Sequence, residues 1–487
     1  VRTTYRFLLN GAVAQPAEES GTLLVDWLRR DQGLTGTKEG CREGDCGACL
    51  VLLGEQAADK ARGRIEWIPV ASCLLALGEL DGRHVITVEG LASAGPTPVM
   101  KVLHEDNASQ CGFCSPGIVV AITARLIAGG PVDDAALASA LEGNLCRCTG
   151  YGAIRRACAR LAQDFADLPS DVEERLAVLA ERGVVPPALA ETMKALPKKA
   201  DVAERHGDRT LGGGTDWFVR HPDPEPGVEL DFSDRENALR TVKRSGSKLR
   251  VGAAVTIRDF FASEAVRAAA PGIERYEDFF ASPPIRSRAT VAGNIANASP
   301  VADMTALLLA LGARIVLRKR DADHGAHGPE VERELALEDF FLGYKKTAAK
   351  EDERIEAVVV PDAAHPRLIH FEKAARRARL DIATVNTALS CVLEGEGERA
   401  VLRRVRVSAG GVGPTPLVLK DVSAYLEGKA PTAEVVREAA RLARAGTKPI
   451  SDARGSAEYR SDLVERLVIA HFLSLFPDRR LEEVLFA

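Results

Sequence analysis

Apolar and polar positions change period several times along this chain, and the changes outline its elements. Tyr5-Arg6-Phe7-Leu8-Leu9 is an apolar run that stops at Asn10-Gly11, a pair suited to a tight hairpin turn. Thr22–Arg30 carries apolar residues at helical spacing, with Thr22 placed to cap it. A Gly- and Cys-rich loop, 36–49, follows. Leu50-Val51-Leu52-Leu53 and Val85-Ile86-Thr87-Val88 then read as strands. Strands, helix, loop and further strands predict a β-grasp domain over 1–90. Residues 91–165 switch to a helical period throughout: Val99–Glu105, Gly117–Ile127, Asp134–Leu141 and Ala153–Phe165 each place apolar residues three and four apart. Gly129-Gly130-Pro131 is the clearest break, and a compact four-helix unit is the simplest arrangement.

Residues 166–200 read as a linker with some helix, punctuated by Pro169, Pro186, Pro187 and Pro197 and charged around Glu173-Glu174-Arg175. From 201 to 365, short strands and helices alternate with Gly-rich turns, and 321–333 is expected to be a solvated surface loop. From 366 to 487, the strand-like run Val401–Ser408 precedes two helical stretches, Ala433–Ala445 and Ser461–Leu475. The pattern predicts an α+β, multidomain fold.

Length and composition narrow the class. At roughly 100–200 residues per domain, 487 residues suggest three or four domains. With 46% hydrophobic and 27% charged residues, the chain is an ordinary globular one, neither disordered nor fibrous. Against 69 acidic residues stand 64 basic ones, net −5, so nucleic acid is not an expected partner. No apolar run reaches the roughly 18 residues of a membrane helix. The first residues lack the apolar core of a secretory signal, so the cytoplasm is the expected compartment. Nine of ten cysteines fall within the first 158 residues and only Cys391 lies beyond, a concentration that points to metal rather than disulfides.

The cysteine spacings carry the chemistry. Cys41, Cys46 and Cys49, with Cys73 downstream, follow C-x4-C-x2-C and a distant fourth, the spacing of a plant-type [2Fe–2S] loop. Glycines at 40, 44 and 47 let backbone N–H groups approach the sulfurs. Zinc sites favour paired CxxC knuckles instead. A second set, Cys111 and Cys114 with Cys146 and Cys148, is compatible with zinc by spacing alone. However, Cys114-Ser115-Pro116-Gly117 and Cys148-Thr149-Gly150 each lead into a helix, and helix N-termini favour an anionic thiolate cluster. Cys158 and Cys391 sit in apolar surroundings and read as buried structural residues.

Two further segments read as nucleotide-contacting or as plain turns. Leu211-Gly212-Gly213-Gly214-Thr215-Asp216 can present a nest of N–H groups to a phosphate; it fits neither the Rossmann nor the Walker pattern. Phe280–Asp303 is short on large side chains and rich in hydroxyl and amide groups, which suits close wrapping around a pyrophosphate and ribose.

The order of these features resembles the molybdenum hydroxylase family over nearly the whole chain: two cysteine sets, the GGGTD turn, then ATVAGNIANASPVAD. Ser451–Arg460 (SDARGSAEYR) is similar to the family's SDxRxSAxYR segment. Within the family the pattern is nearest to the iron–sulfur and flavin chain of bacterial enzymes that oxidise hypoxanthine and xanthine to urate. The resemblance implies four domains: a β-grasp [2Fe–2S] ferredoxin-like domain (1–90), a four-helix [2Fe–2S] domain (91–165), and, after the linker, a non-Rossmann α+β FAD-binding domain (201–365) and an α+β C-terminal flavoprotein domain (366–487). It implies that Cys41, Cys46, Cys49 and Cys73 hold one cluster, and Cys111, Cys114, Cys146 and Cys148 the other. Gly212, Gly213, Gly214, Thr215 and Asp216 would form the FAD pyrophosphate turn. Thr290, Gly293, Asn294 and Asp303 would form the second FAD segment, with Phe280 placed at the flavin. Leu380-Asp381-Ile382-Ala383 resembles a stretch beside the flavin. Gly214 stands where some members have Asn, and Ala292 where many have Gly; neither departure removes a necessary side chain.

The resemblance further implies an electron conduit. Substrate would be hydroxylated at a molybdenum cofactor on a larger partner chain. Electrons would pass through the two clusters to FAD and leave to NAD, in a heterotetramer with two of each chain. No residue of this chain would then be catalytic toward the substrate. Relatives acting on aldehydes, nicotinate-like heterocycles or aromatic thioesters would share these features. A simple NADH:ferredoxin-type reductase would be expected to carry a Rossmann motif that is missing here, and a zinc-binding interaction module is the remaining alternative.

Overall fold

The structure is a computed structural model that describes residues 5–56, 65–187, 189, 209–225, 228, 230–232, 238–319, 331–361, 365–479 and 481. Residues 188 and 190–200 of the expected linker, 201–208 of the expected FAD-binding domain, and 321–330 of the expected surface loop, lie outside the described residues. The chain forms two compact units: Val1–Asp234 with Ser282–Arg288, and Arg235–Ala281 with Ala289–Ala487. Among the described residues, no helix is long and apolar enough to cross a membrane.

The first unit opens with the hairpin β1 (Phe7–Leu9) and β2 (Ala12–Ala14), turned at Asn10 (φ 51°) and Gly11 (φ 90°). Two positive φ values in succession match the twist of the flanking strands, which is why Asn-Gly stands there. Helix α1 (Leu24–Arg30) follows, then β3 (Leu50–Gln56), β4 (Ile65–Ala71) and β5 (His84–Ile86). The sheet order is β2-β1-β5-β3-β4, with β1 and β5 parallel. Leu24, Trp27 and Leu28 of α1 bury against Phe7, Val51, Leu53, Val70 and Val85, and Trp27 meets Phe7 edge to face at 5.5 Å. A helix lying across such a sheet is the predicted β-grasp.

Two local expectations are corrected. Thr22 does not cap α1: Leu23 is the N-cap and makes no side-chain bond. The helix start is held by the backbone, Leu24 N donating to Leu75 O (2.8 Å) and Leu77 N to Thr22 O (2.9 Å). The run at 85–88 leaves the sheet after Ile86, because the Thr87 hydroxyl accepts from Gly90 N and starts α2 (Val88–Leu91).

The four predicted helices are present with ends shifted by one or two residues: α3 (Pro98–Glu105), α4 (Ser115–Ile127), α5 (Asp134–Ala140) and α6 (Gly152–Asp164). Helix α4 is buried on nearly every side, as its largely apolar composition requires.

Part of the expected linker packs against this bundle. Helix α7 (Val172–Glu181) starts at the Asp171 cap and buries Arg175, which is 1% exposed. The guanidinium donates to the carbonyls of Ala128, Gly130 (2.7 Å) and Pro169 (2.6 Å), so it closes the C-terminal end of α4. A charged residue of the expected linker is thus a structural plug. Arg175→Ala is expected to destabilise the first unit by about 3 kcal/mol, because several buried carbonyls lose their donor at once. Arg155→Ala, on an exposed face, should cost under about 0.5 kcal/mol. Urea denaturation of the two variants checks this, and equal midpoints would refute it.

The first unit ends with a short parallel pair, β6 (Arg209–Thr210) and β7 (Leu230–Asp231), enclosing α8 (Trp217–Arg220). The second unit contains an antiparallel sheet ordered β11-β10-β14-β9-β8, built from β8 (Val242–Ser245), β9 (Lys248–Gly252), β10 (Arg314–Lys319), β11 (Val331–Ala336) and β14 (Glu353–Val360). The hairpin β12 (Phe341–Gly343) and β13 (Lys346–Thr347) interrupts it. Residues 331–333, expected in the surface loop, already pair within β11. A second antiparallel sheet is ordered β15-β16-β17-β18: Leu368–Ala374, Val385–Glu394, Val401–Gly410 and Leu417–Val418. Helices Ala433–Ala445 and Ala457–Leu475 pack on it. In the SDARGSAEYR segment, Ser456 caps the last helix and Arg460 turns back to pair with Asp452 at 2.5 Å.

Candidate functional site

Residues 36–49 form turns, not helix or strand, and the backbone itself shapes the first cysteine set. Arg42 (φ 56°), Gly44 (φ 81°) and Gly47 (φ 67°) adopt left-handed conformations that aim successive N–H groups inward. Cys41 Sγ accepts from the N–H groups of Cys46 (3.3 Å) and Glu43 (3.5 Å). Backbone N–H groups of Ala48 and Gly44 serve Cys46 and Cys73. At Gly40 a Cβ would stand 2.8 Å from Cys46 Sγ, so that position has no room for a side chain. Arg42 pairs with the carboxylate of Asp26 on α1 and anchors the loop.

The four sulfurs stand as two pairs. Cys41 and Cys46 are hydrogen-bonded to each other, and Cys49 and Cys73 are 3.3 Å apart. The bond from Cys46, aided by the backbone N–H groups against the effect of burial, holds the Cys41 thiol down at about 5. Cys49 is likewise lowered by its bond from Cys73. One thiolate per pair is therefore already favoured, as metal ligation needs.

The second set repeats the arrangement at two helix starts. Cys114 is the N-cap of α4, with Pro116 in the first turn, and the Cys146–Cys148 segment runs into α6 through Tyr151 (φ 66°). Tyr151 Oη accepts from Cys146 N at 2.9 Å. Cys111 and Cys148 are 3.5 Å apart and exposed; Cys114 and Cys146 are buried and hydrogen-bonded. Burial pushes the Cys114 thiol up to about 12. Burial also acts on Cys146, but bonds from Thr149 outweigh it and lower that thiol.

Pairing decides which metal centre the thiols suit. A single tetrahedral metal with bonds of about 2.3 Å needs four sulfurs mutually about 3.8 Å apart. Among the described residues, no three His, Cys, Asp or Glu side chains converge on one metal position. Two close pairs per set are what a two-iron cluster requires, two thiolates to each iron. The residues fit [2Fe–2S] chemistry.

The two sets are physically joined. Leu145 N, one residue before Cys146, donates to Cys46 O at 2.9 Å, and Asn144 Nδ2 donates to Gly47 O at 3.3 Å. A Cβ at Gly117 on α4 would overlap Gly47 O, so the absence of a side chain allows this approach. One hydrogen bond thus links a cysteine of the first set to the neighbour of a cysteine of the second.

The nucleotide-contacting candidates fall in both units. Gly212, Gly213, Gly214 (φ 69°) and Thr215 turn the chain from β6 into α8 in the first unit. Gly213 O accepts from Arg288 Nη2 at 3.1 Å. Asp216 is paired with Arg220. In the second unit, Thr290 caps helix Val291–Ala296, its hydroxyl accepting from Gly293 N at 2.9 Å, and Asn294 Oδ1 accepts from Thr305 at 3.4 Å. Asp303 is engaged through both oxygens, by Lys373 Nζ at 2.7 Å and Asn386 Nδ2 at 2.6 Å. Phe280 stacks on Phe371 with centroids 5.4 Å apart, inside the core. Thr290, Asp303 and Phe280 therefore have architectural duties that local sequence only partly signals. Leu380 (φ 50°) is buried, and Asp381 accepts from Arg377 N at 2.9 Å. Sequence reasoning missed Lys373, Arg288 and Asn144; each acts on partners 70 or more residues away, beyond any local signal.

Comparison with known proteins gives the class. Four family models match in order: the 2Fe-2S iron-sulfur cluster binding domain (8–77), the [2Fe-2S] binding domain (87–159), the FAD binding domain in molybdopterin dehydrogenase (184–363) and the CO dehydrogenase flavoprotein C-terminal domain (369–475). The chain belongs to the molybdenum hydroxylase family and carries its two iron–sulfur domains, its FAD domain and its C-terminal flavoprotein domain. Among its relatives, xanthine dehydrogenase of Blastobotrys adeninivorans is 28% identical over 94% of this chain and 40% of its own length. Aldehyde oxidase 1 of Bos taurus is 26% identical over 96% of this chain and 39% of its own. The chain thus spans about 40% of the length of these relatives. Among solved structures, a carbon monoxide dehydrogenase chain from Hydrogenophaga pseudoflava aligns with TM-score 0.49 and 29% identity, covering 55% of this chain and 90% of that one.

Proposed function

We propose that this chain is the iron–sulfur and flavin arm of a xanthine dehydrogenase, working with a larger partner chain that carries the molybdenum cofactor. The reading assigns Cys41, Cys46, Cys49 and Cys73 to one [2Fe–2S] cluster and Cys111, Cys114, Cys146 and Cys148 to the other. Gly212–Thr215 take the FAD pyrophosphate, and the Thr290–Asn294 segment supports the same cofactor, with Phe280, Asp216 and Asp303 holding its surroundings. When bound, these groups carry electrons singly through the clusters and in pairs between FAD and NAD. The chain's own residues supply the wiring. N–H groups of the 41–49 loop stabilise the reduced, more negative state of the first cluster. The N-termini of α4 and α6 do so for the second. The observation that carries the reading is the pair of cysteine quartets, each arranged as two sulfur pairs and joined through Leu145 N and Cys46 O.

The partner would meet the face where Cys111 and Cys148 are exposed. Phe113, Leu145 and Tyr151 surround them, 45%, 46% and 38% exposed, an apolar rim suited to docking. A heterotetramer and a cytoplasmic setting complete the proposal. Xanthine as substrate is favoured by the names of several relatives; the aldehyde oxidase among them supports a second reading, the same conduit serving an aldehyde-oxidising enzyme.

The test is to purify the chain alone and assay its contents and half-reactions. About four iron atoms and four acid-labile sulfides per chain are expected, with FAD released by acid. The loaded chain should oxidise NADH with an artificial one-electron acceptor and leave xanthine and hypoxanthine untouched. Zinc in place of iron would refute the reading. Purine oxidation by the single chain would overturn the two-chain division, and a loaded chain inert to NADH would remove NAD as acceptor.

A further inference from the structure

We propose that Arg288 is a positioning residue that holds the first cluster loop and the flavin turn in one setting. This rests on the assignments of Cys73 and Gly212–Thr215 made above. Its side chain is buried, 3% exposed, and Nη2 reaches three separate groups. It donates to Leu74 O, the carbonyl directly after Cys73, at 3.3 Å, and to Gly213 O, in the middle of the glycine turn, at 3.1 Å. It also meets both carboxylate oxygens of Glu79 at 2.8 and 2.9 Å. Glu79 in turn accepts from Ala76 N at 3.2 Å, so the counter-charge is anchored in the segment that follows Cys73. Arg288 Nε is buried without a partner, which leaves the guanidinium with a spare donor.

The chain path adds a second, independent indication. Residues 282–288 belong to the first unit, although the residues before and after them belong to the second. Arg288 is the last residue of that excursion, and Thr290, which opens the other flavin segment, follows two positions later. A single residue therefore bears on the segment that follows Cys73 and on the pyrophosphate turn.

Chemistry explains why arginine stands there. A buried ion pair is a weak source of stability, and apolar residues of similar volume often serve as well. The planar guanidinium, however, stays charged and holds Nη2 in a fixed direction among these acceptors, whereas a lysine ammonium is a point charge on a flexible stem. A fixed positive charge beside Cys73 and Gly213 favours the more negative state of whatever each binds: the reduced cluster on one side and the pyrophosphate on the other. Arg288 should thus raise the reduction potential of the first cluster and tighten FAD binding together.

The experiment uses the purified full chain, with Arg288→Met, which removes the positive charge, and the double variant Glu79→Gln/Arg288→Met. The double variant removes both charges, so no carboxylate is stranded if the single variant folds poorly. FAD is titrated into deflavinated protein by fluorescence, and both clusters are followed by EPR during reductive titration. In the variants, FAD should bind roughly tenfold more weakly or worse, the scale of a lost charge-assisted hydrogen bond. The midpoint of the cluster at Cys41, Cys46, Cys49 and Cys73 should fall in Arg288→Met, which leaves the Glu79 carboxylate uncompensated, and fall less in the double variant, while that of the cluster at Cys111, Cys114, Cys146 and Cys148 stays in place. Native FAD affinity and a native first-cluster midpoint in a folded variant would overturn the proposal, and so would equal shifts of both clusters. Unmutated protein that binds no FAD or only one cluster would instead bring down the underlying assignment.

Discussion

Serine at Cys46 is expected to remove the iron of the first cluster and leave the second intact, and serine at Cys148 to do the reverse. Each change should halve the iron bound per chain and abolish one of two EPR signals. Cys46 is paired with Cys41 and Cys148 with Cys111, so under the proposed assignment each pair would hold one iron. A serine hydroxyl is harder than a thiolate and far less acidic, so the affected iron loses half of its protein ligands. The quartets draw on different segments, so loss of one cluster should leave the other's ligands standing. Cys158 and Cys391 are the controls. They are 3% and 0% exposed, and burial pushes their thiols up to about 11 and about 12. Such thiols behave as small apolar residues. Serine at either should leave four irons in place. Iron lost from Cys158→Ser or Cys391→Ser would show that the ligands have been misassigned.

Lys373→Met is expected to destabilise the second unit by about 3 kcal/mol at neutral pH, with part of the loss recovered on acidification. Lys373 Nζ holds Asp303 at 2.7 Å and Phe279 O at 2.8 Å, and its side chain is 5% exposed. Burial already raises the Asp303 carboxyl above the usual range, and Lys373 opposes that rise. Removing the ammonium lets burial act without its main counterweight. The folded variant then holds the Asp303 proton to a higher pH than the unfolded chain does. Its stability is therefore greater below the unfolded carboxylate pKa of about 3.9, and falls as pH rises through the raised folded value. The double variant Lys373→Met/Asp303→Asn carries no titrating group there and should show no such recovery. Urea melts of both variants between pH 5 and 8 decide the matter, and identical pH profiles would sink the idea. The same ion pair also bears on the flavin candidates, because Asp303 acts through Lys373 and Asn386 before it could act on a ligand.

Much of this protein was readable before any fold was known, and the readable parts share one property: they are local. Asn10-Gly11 specifies a turn because only its own φ angles matter. Helix Ala433–Ala445 has the predicted bounds because its apolar stripe and Thr432 cap lie within the segment. The cysteine spacings announced two iron–sulfur sites because wrapping a loop round a cluster is a short-range requirement. What the tertiary structure alone decided is every relation across long separations. Cys49 and Cys73 became a sulfur pair because a strand hairpin returned the chain over 24 residues. Leu145 reached Cys46 because glycines at 47 and 117 removed the atoms that would have kept them apart. Arg175, in a charged stretch of the expected linker, found the open carbonyls of a helix end, and Asp303, read as a ligand contact, found Lys373. Periodicity and composition describe a residue's neighbours along the chain, whereas a buried charge is placed by the partner that folding brings to it.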